Sequence, residues 1–451
     1  MTIRVVYGHI NITIKEMNMA AVYANSSNQI AALKELYTDD KEYMKDLVYK
    51  ENPFLALVPK NESPDGFAGK YIPVPLEYGT PQGRSHTFSN AQNQQTATSL
   101  ASFFVYVIED YQLVTITNLL MEQTKTNAGA FVDAAKLQMD GGFRNITNNI
   151  AFELFGSGTA TRGISAVGMT QSGTTAGGTV ITLSNAQQIV AFEVGMLLVS
   201  SLTDGGAPSS DTVTITSVNR ATGVIAGTAS AATLSNKWSV TSAAIGYLSI
   251  AGDLPSAGAS NTGSYLALSG LAAWIPTTSP APGDNFWGVD RSADPTRLAG
   301  CRFNAQSYTI EEGMTNALAF LNREGGKPDL CIMDFASYAA LVNALGAKVQ
   351  YVQVNHDEVE VAFEGITFQS AYGRVTVLAD RSCPPQTAYL LTMNTFKLRS
   401  LGKVPHILTY GMEGLEGLRV GNADALEIRI GYYGNLICSA PGWNCVVQLS
   451  A

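Results

Sequence analysis

Four histidines, five cysteines and one dense group of acids are the residues in this 451-residue chain whose types suit chemistry, and their spacing decides what each could do. Asp284, Asp290 and Asp294 stand close together in SPAPGDNFWGVDRSADPTRLAG, with Arg291, Arg297, Gly283 and Gly288 among them. Closely spaced carboxylates with a glycine are what an oxygen-ligand calcium site needs, but this spacing does not match an EF-hand. Turn formation with Asp–Arg pairing is the better reading. His356-Asp357-Glu358 could act as a metal or acid/base group; three polar residues between two strands read more simply as an exposed turn. His9, His86, His356 and His406 lie far apart, in no His-Glu-x-x-His arrangement, and no G-x-S-x-G nucleophile turn occurs. Gly325-Gly326-Lys327 resembles half a phosphate loop, yet no Ser or Thr follows the lysine and no glycine frame precedes it, so it reads as a helix stop. The Asn145-Ile146-Thr147 sequon means nothing without secretion. No catalytic, cofactor-binding or metal-ligating residue is expected, and the chain is not read as an enzyme.

The cysteines (Cys301, Cys331, Cys383, Cys438 and Cys445) form no C-x-x-C pair and read as reduced, mostly buried thiols. Hydrophobic residues reach 46% while charged residues make up only 14%, well below the roughly 25% usual for soluble proteins. So few charges suggest a surface largely occupied by something else. Net charge is −9, which gives no basic footprint for tight nucleic-acid binding. The N-terminus MTIRVVYGHINITIKEM lacks the apolar core of a signal peptide, and no run approaches the ~18 apolar residues of a membrane span. A protein made and kept in a cytosol, with no membrane partner, is expected.

Residues 28 to 50 carry Ile30, Leu33, Leu36 and Leu47 at helical spacing, interrupted near Asp39-Asp40. Pro53, Pro59 and Pro64 then favour an extended path over a regular helix. From Lys70 to Thr117 the pattern is a strand (YIPVPLEY), a long polar tip and one returning strand (SFFVYVIEDYQLVTIT), which together read as a hairpin. An isolated two-stranded ribbon is marginal in water, so its tip should rest on a neighbouring surface. Phe143, Ile146, Ile150 and Leu154 form the stripe of a helix, in which Gly141-Gly142 predicts a bend or break. Residues 163 to 252 are poor in charge and rich in Gly, Ser and Thr. Strand candidates VITL, GMLLVSS, DTVTITSVNR, GVIAGTA and KWSVTS mark a compact all-β module set into the chain. Phe286 and Trp287 require burial, so the Pro- and Gly-rich stretch around them is ordered. Thr309 and Glu312 make a capping box for a helix ended by Gly325-Gly326, and alternating strands and a helix follow, the pattern of an α+β domain.

KENPFLALVPK (50 to 60), YIPVPLEYGTPQGRSHTFSNAQ (71 to 92), GAFVDAAKLQMDGGFRNITNNIA, WGVDRSADPTRLAG (287 to 300) and VLADRSCPPQTAYLL (377 to 391) together resemble the major capsid proteins of tailed bacteriophages with the Hong Kong 97-like fold. The resemblance runs in order over nearly the whole chain, apart from the first ~25 residues and the β module. It implies an N-terminal arm (1–68), an extended loop (69–117), a peripheral domain with a spine helix (118–162), an inserted β domain (163–252), a connecting peripheral segment (253–304), an axial domain (305–402) and a returning peripheral strand with the C-terminal strand (403–451). It also implies hexamers and pentamers of an icosahedral shell around double-stranded DNA, assembled in a bacterial cytoplasm, held without sequence-specific binding and served by portal and possible decoration proteins. The short N-terminal region leaves little room for a built-in scaffolding segment, so a separate scaffolding protein is expected. The loop residues Tyr78, Gly79, Pro81, Gly83, Arg84, His86, Phe88 and Gln92 would be intersubunit contacts. No lysine lies between Lys70 and Lys125, so the isopeptide crosslinks of some such shells are not expected. Two alternatives are an encapsulin-type nanocompartment shell and, from a different class, a β-rich carbohydrate-binding or adhesin protein suggested by residues 163 to 252.

Overall fold

A computed structural model describes residues 52–62, 71–118, 128–166, 178–231, 245–258, 265–345, 351–356, 359–370, 373–408 and 423–450, with short pieces at 6–7, 10–11, 170–171, 234, 238 and 418–419. The helix expected over 28–50 lies outside the described residues, as does most of the rest of the N-terminal arm, with His9, and so do Asp357 and Glu358.

The backbone is mixed α+β. One seven-stranded sheet runs in the order Cys301–Asn304, Cys445–Gln448, Thr387–Leu391, Leu330–Met333, Gly373–Ala379, Val359–Ser370, Tyr351–His356. Leu330–Met333 is buried at every position, as a strand covered on both faces must be. Helix Ile310–Arg323 buries Met314, Leu318 and Leu321 in the core of this sheet. Its N-terminus carries the predicted capping box, with Thr309 Oγ1 accepting from Glu312 N and the Glu312 carboxylate accepting from Thr309 N. Gly325, at φ +91°, turns the chain out of the helix.

The second sheet is organised by one long strand, Ala425–Cys438. It pairs with Ile108–Thr117 over ten residues and with Phe396–Ser400 on its other edge. Here the structure differs from the single returning arm read in the sequence. The apolar run breaks at Val107: Ser99–Tyr106 pairs with Tyr71–Gly79, whereas Ile108–Thr117 leaves the hairpin for the long strand. A β-rich run names its strands but not their partners, and this one serves two sheets.

Helix Ala128–Glu153 lies against that second sheet, burying Ile146 and Ile150. It runs through Gly141-Gly142 without the expected break. A Cβ on Gly142 would stand 2.6 Å from Val114 Cγ2 and 3.1 Å from Ile430 Cδ1. This glycine therefore lets helix and sheet approach closely, and the packing outweighs its poor helix propensity. Pro53 likewise does not exclude helix. It occupies the first position of the short helix Pro53–Leu57, where its missing N–H costs nothing. The following Lys60–Asn61 pairs in parallel with Leu398–Arg399.

Residues 163–250 form a separate seven-stranded sheet in the order Gly163–Ile164, Tyr247–Ile250, Leu197–Ser201, Val213–Asn219, Val224–Ala229, Gly178–Thr182, Thr170–Gln171. Its own core contains Phe192, Leu198, Ile215, Ile225, Trp238 and Leu248. The first and last parts of this stretch pair with each other, Leu248 opposite Gly163, so the chain leaves the body and returns at one place. Of the strand candidate KWSVTS only Trp238 is described; the strand that pairs with Gly163–Ile164 is Tyr247–Ile250.

Candidate functional site

The hairpin is amphipathic in an unequal way. In Ser99–Tyr106, Phe103 and Val105 are buried, while Leu100 is 70% exposed and Phe104 also faces outward. The buried face is anchored by aromatic packing. Phe103 meets Trp274 edge-on at 5.2 Å, Tyr106 lies 5.5 Å from Trp287, and Phe104 N donates to Trp287 O at 2.9 Å. The burial expected of Phe286 and Trp287 thus serves the hairpin base. Arg297 Nη1 adds a bond to Tyr78 O at 2.6 Å.

Beyond that base the ribbon projects. Tyr78 and Gly79 end the first strand, and Gly79 pairs with Ser99. Gln82 N donates to Thr96 Oγ1 at 2.9 Å and Thr96 N donates to Gln82 O at 3.0 Å, closing the neck of the tip. Gly83 takes φ +134°, and a Cβ there would meet Gln95 Cα at 3.1 Å, so the neck requires glycine. Pro81, Arg84 and His86 are exposed along the tip. Phe88 and Gln92 belong to a one-and-a-half-turn helix, Phe88–Asn93, that buries none of its residues. Phe88 is 83% exposed, an unusual state for a large aromatic side chain. The expected contact residues therefore cluster on one projecting element, with Tyr78 and Gly79 at its root. Leu100 and Phe104 escaped that reading, although the signal was present: LASFFVYV is apolar at both odd and even positions, more than a strand with one covered face needs.

The residues that suggested chemistry have structural partners. Asp290 caps the turn Arg291–Ala293 and Asp294 caps Pro295–Ala299, accepting from Ser292 N and Arg297 N. The Ser292 bonds hold the Asp290 carboxyl below its ordinary range. Arg291, nearly buried, donates to Ala273 O at 2.7 Å and reaches Asp284 at 3.4 Å. All five cysteines are buried and unbridged. Burial pushes the Cys301 and Cys438 thiols up to about 12, which makes them poor nucleophiles. His406 Nδ1 bonds Lys403 O at 2.6 Å. Among the described residues no group of three or more metal-type ligands gathers, and no helix is long and apolar enough to cross a membrane.

A buried ionic cluster sits where the separate sheet joins the body. Asn149 Nδ2 donates to Asp110 Oδ2 at 2.7 Å and to Glu153 Oε1 at 3.0 Å, and its Oδ1 accepts from Arg162 Nη2. Leu268 N donates to the other Glu153 oxygen at 3.2 Å. Burial, reinforced by Asp110, pushes Glu153 up to about 8 against the pull of Arg162, and burial lifts Asp253 to about 6.

No family model matches the chain, and no curated protein matches it in sequence. Solved structures do. The chain from the cyanophage A-1(L) capsid asymmetric unit superposes with a TM-score of 0.51 at 11% identity, covering 93% of this chain and 98% of that one. The capsid of the Myoviridae phage XM1 (TM-score 0.41, 9% identity, 92% and 97% covered) and the holo-SrpI encapsulin complex from Synechococcus elongatus PCC 7942 (0.43, 8%, 93% and 94%) are more distant neighbours. The chain has the fold of a phage capsid chain.

Proposed function

We propose that this protein is the major capsid protein of a tailed bacteriophage, a structural subunit of the Hong Kong 97-like type and not an enzyme. It assembles into hexamers and pentamers of an icosahedral shell that encloses double-stranded DNA. The observation that carries this reading is end-to-end: a capsid-chain fold over 93% of the sequence, with a hairpin whose root is anchored and whose tip buries nothing. A projecting ribbon of this kind gains stability only when it lies on another subunit, and the same contact repeated by symmetry closes a shell.

In this reading the arm is 1–68 and the extended loop 69–117, of which the ribbon 71–106 is the projecting part. The spine helix belongs to a peripheral segment at 118–162, the inserted β domain spans 163–252, and a connecting segment covers 253–304. The axial domain is 305–402, and 403–451 returns to the periphery. Tyr78, Gly79, Pro81, Gly83, Arg84, His86, Phe88 and Gln92 contact the neighbouring subunit. A separate scaffolding protein, a portal and possibly a decoration protein are its partners, and assembly takes place in the host cytoplasm.

Electron microscopy of the purified full chain tests the proposal. Closed shells or capsomer-sized rings are expected, and a protein that stays monomeric at all concentrations would overturn it. The content of isolated particles separates a genome container, filled with nucleic acid, from a nanocompartment filled with protein. A denaturing gel of those particles should show single subunits, because no lysine occurs between Lys70 and Lys125.

A further inference from the structure

The buried ionic cluster at the joint straddles the boundary between the β module and the body. Arg162 and Asp253 belong to the module, since Arg162 N donates to Leu248 O at 2.8 Å and Asp253 N to Ile250 O at 3.2 Å. Asp110, Asn149, Glu153 and Tyr432 belong to the body, on Ile108–Thr117, the long helix and the long strand. The chain thus enters the module through one member of the cluster and leaves it through another. Thr159 Oγ1 and Thr161 Oγ1 each donate to Asp204 Oδ1 at 2.6 Å, which fastens the entering linker to a loop of the module and not to the body. Phe152, packed against the module core, and Arg381, donating to Val190 O at 3.0 Å, also cross the boundary. Neither of those two side chains titrates near neutral pH, so the cluster is the part of the joint on which protons can act.

Charge does not balance across this boundary. The module side brings one guanidinium and one carboxylate, and the body side brings two carboxylates, Asp110 and Glu153. Full ionisation would leave two negative charges uncompensated in a joint where Glu153 and Arg162 are each only 8% exposed. A buried charge without a partner is expensive, so a carboxyl in this joint keeps its proton while the joint is closed. Glu153 is placed to be that group. It accepts only from neutral donors, Asn149 Nδ2 at 3.0 Å and Leu268 N at 3.2 Å, and Tyr432 faces it from the long strand. Arg162 gives its Nη2 to Asn149 Oδ1, and its ring contact is with Phe152 at 5.3 Å. The module has a core of its own and a closed neck, Leu248 opposite Gly163, so it can move as one piece.

We propose that this joint is a proton-operated latch: the module is seated on the body while Glu153 holds a proton, and loss of that proton to solvent sets Glu153 and Asp110 against Asp253 and lifts the module off its seat. Both parts stay folded in the lifted state. The latch does not depend on shell assembly.

Limited trypsin digestion of the full chain between pH 6 and pH 9 tests the latch, with three arginines as reporters. Arg162 is cut when the joint opens. Arg220, in an exposed turn of the module, is cut throughout and normalises for protease activity. Arg291, buried in the body, reports unfolding of the body. A carboxyl held up to about 8 in the seated state, and near its ordinary value when exposed, shifts opening by up to about tenfold per pH unit until about pH 8. The ratio of Arg162 to Arg220 cleavage should therefore rise at least about tenfold from pH 6 to pH 8 and level off above, with Arg291 uncut. Glu153→Gln, neutral at every pH, should hold the ratio flat. If that variant does not fold, Asp253→Asn replaces it: one repelling carboxylate is gone from the module side, and the rise should shrink several-fold. A ratio that ignores pH in the parent, or a full rise in the folded variant, overturns the latch. So does cleavage at Arg291 in step with Arg162, because the whole chain would then be unfolding.

Discussion

Gly141 and Gly142 are neighbours of one residue type with opposite roles, and each can be read from what surrounds it. Gly141 faces open space, so Gly141→Ala removes backbone entropy from the unfolded chain and should stabilise by about 0.5–1 kcal/mol. Gly142→Ala drives a methyl into Val114, whose short branched side chain cannot swing away, and should destabilise by about 1–3 kcal/mol despite the same gain in propensity. Chemical denaturation of the two variants checks the sign, and equal shifts would show that the helix does not press on the sheet there. Glu153 gives a second residue-scale outcome. Three carboxylates, Asp110, Glu153 and Asp253, surround the single Arg162, with Asn149, Leu268 N and Tyr432 as the other groups facing them. Folding raises Glu153 from 4.5 to about 8, so its contribution is fully present below about pH 4.5 and is lost as pH rises through 8. Asp253 acts with the same sign between 3.8 and about 6. Stability should therefore fall between pH 6, where the Asp253 contribution is spent, and pH 8 by at most about 1.4 kcal/mol per unit from Glu153, and level off above that. Glu153→Gln, unable to ionise, should flatten that slope, and an unchanged slope in the variant would assign the pH dependence elsewhere.

At the scale of elements, the hairpin tip is where the proposed assembly can be separated from folding. Nothing in Phe88–Asn93 is buried, and the neck is closed locally by Gln82 and Thr96. Deleting 79–95 should leave the melting temperature within a few degrees of the parent, since the aromatic base at Trp274 and Trp287 is untouched. The same deletion should abolish closed shells in electron micrographs, and normal shells from it would remove the tip from the interface. Much at this scale was legible in the sequence. The capping box at Thr309, the Gly325 stop and the Ile146/Ile150 stripe are local signals, and local signals need only their own neighbours to be read. What escaped depended on distant partners. The split at Val107 is set by the long strand Ala425–Cys438, three hundred residues on, and Gly142 reads as a helix breaker until Val114 is seen beneath it. The polar tip that carries the proposed contact residues was legible because an uncovered polar stretch between two strands announces itself. The exposure of Leu100 and Phe104 was not legible, because apolar residues in a strand are ordinarily assigned to the core.

For the whole molecule, charge sets the terms on which copies can meet. Each copy of the chain carries −9, with charged residues at only 14%, so copies repel at long range while few ion pairs are available to draw them together. The tip that would make the contact presents Phe88, Pro81 and Gln92 beside only Arg84 and His86, so its attraction is mainly apolar and hydrogen-bonded, and short-ranged. Salt acts unequally on these two parts. Raising ionic strength from about 10 mM to 100 mM shortens the screening length from ~30 Å to ~10 Å and removes most of the repulsion, leaving apolar contact nearly unchanged. Assembly of purified subunits, followed by light scattering, should therefore be faster and reach a lower threshold concentration at 100 mM than at 10 mM sodium chloride. The deletion of 79–95 should not scatter at either concentration. Slower assembly in salt would mean that complementary charges hold the subunits together, and the contact would then have to be sought away from the apolar tip.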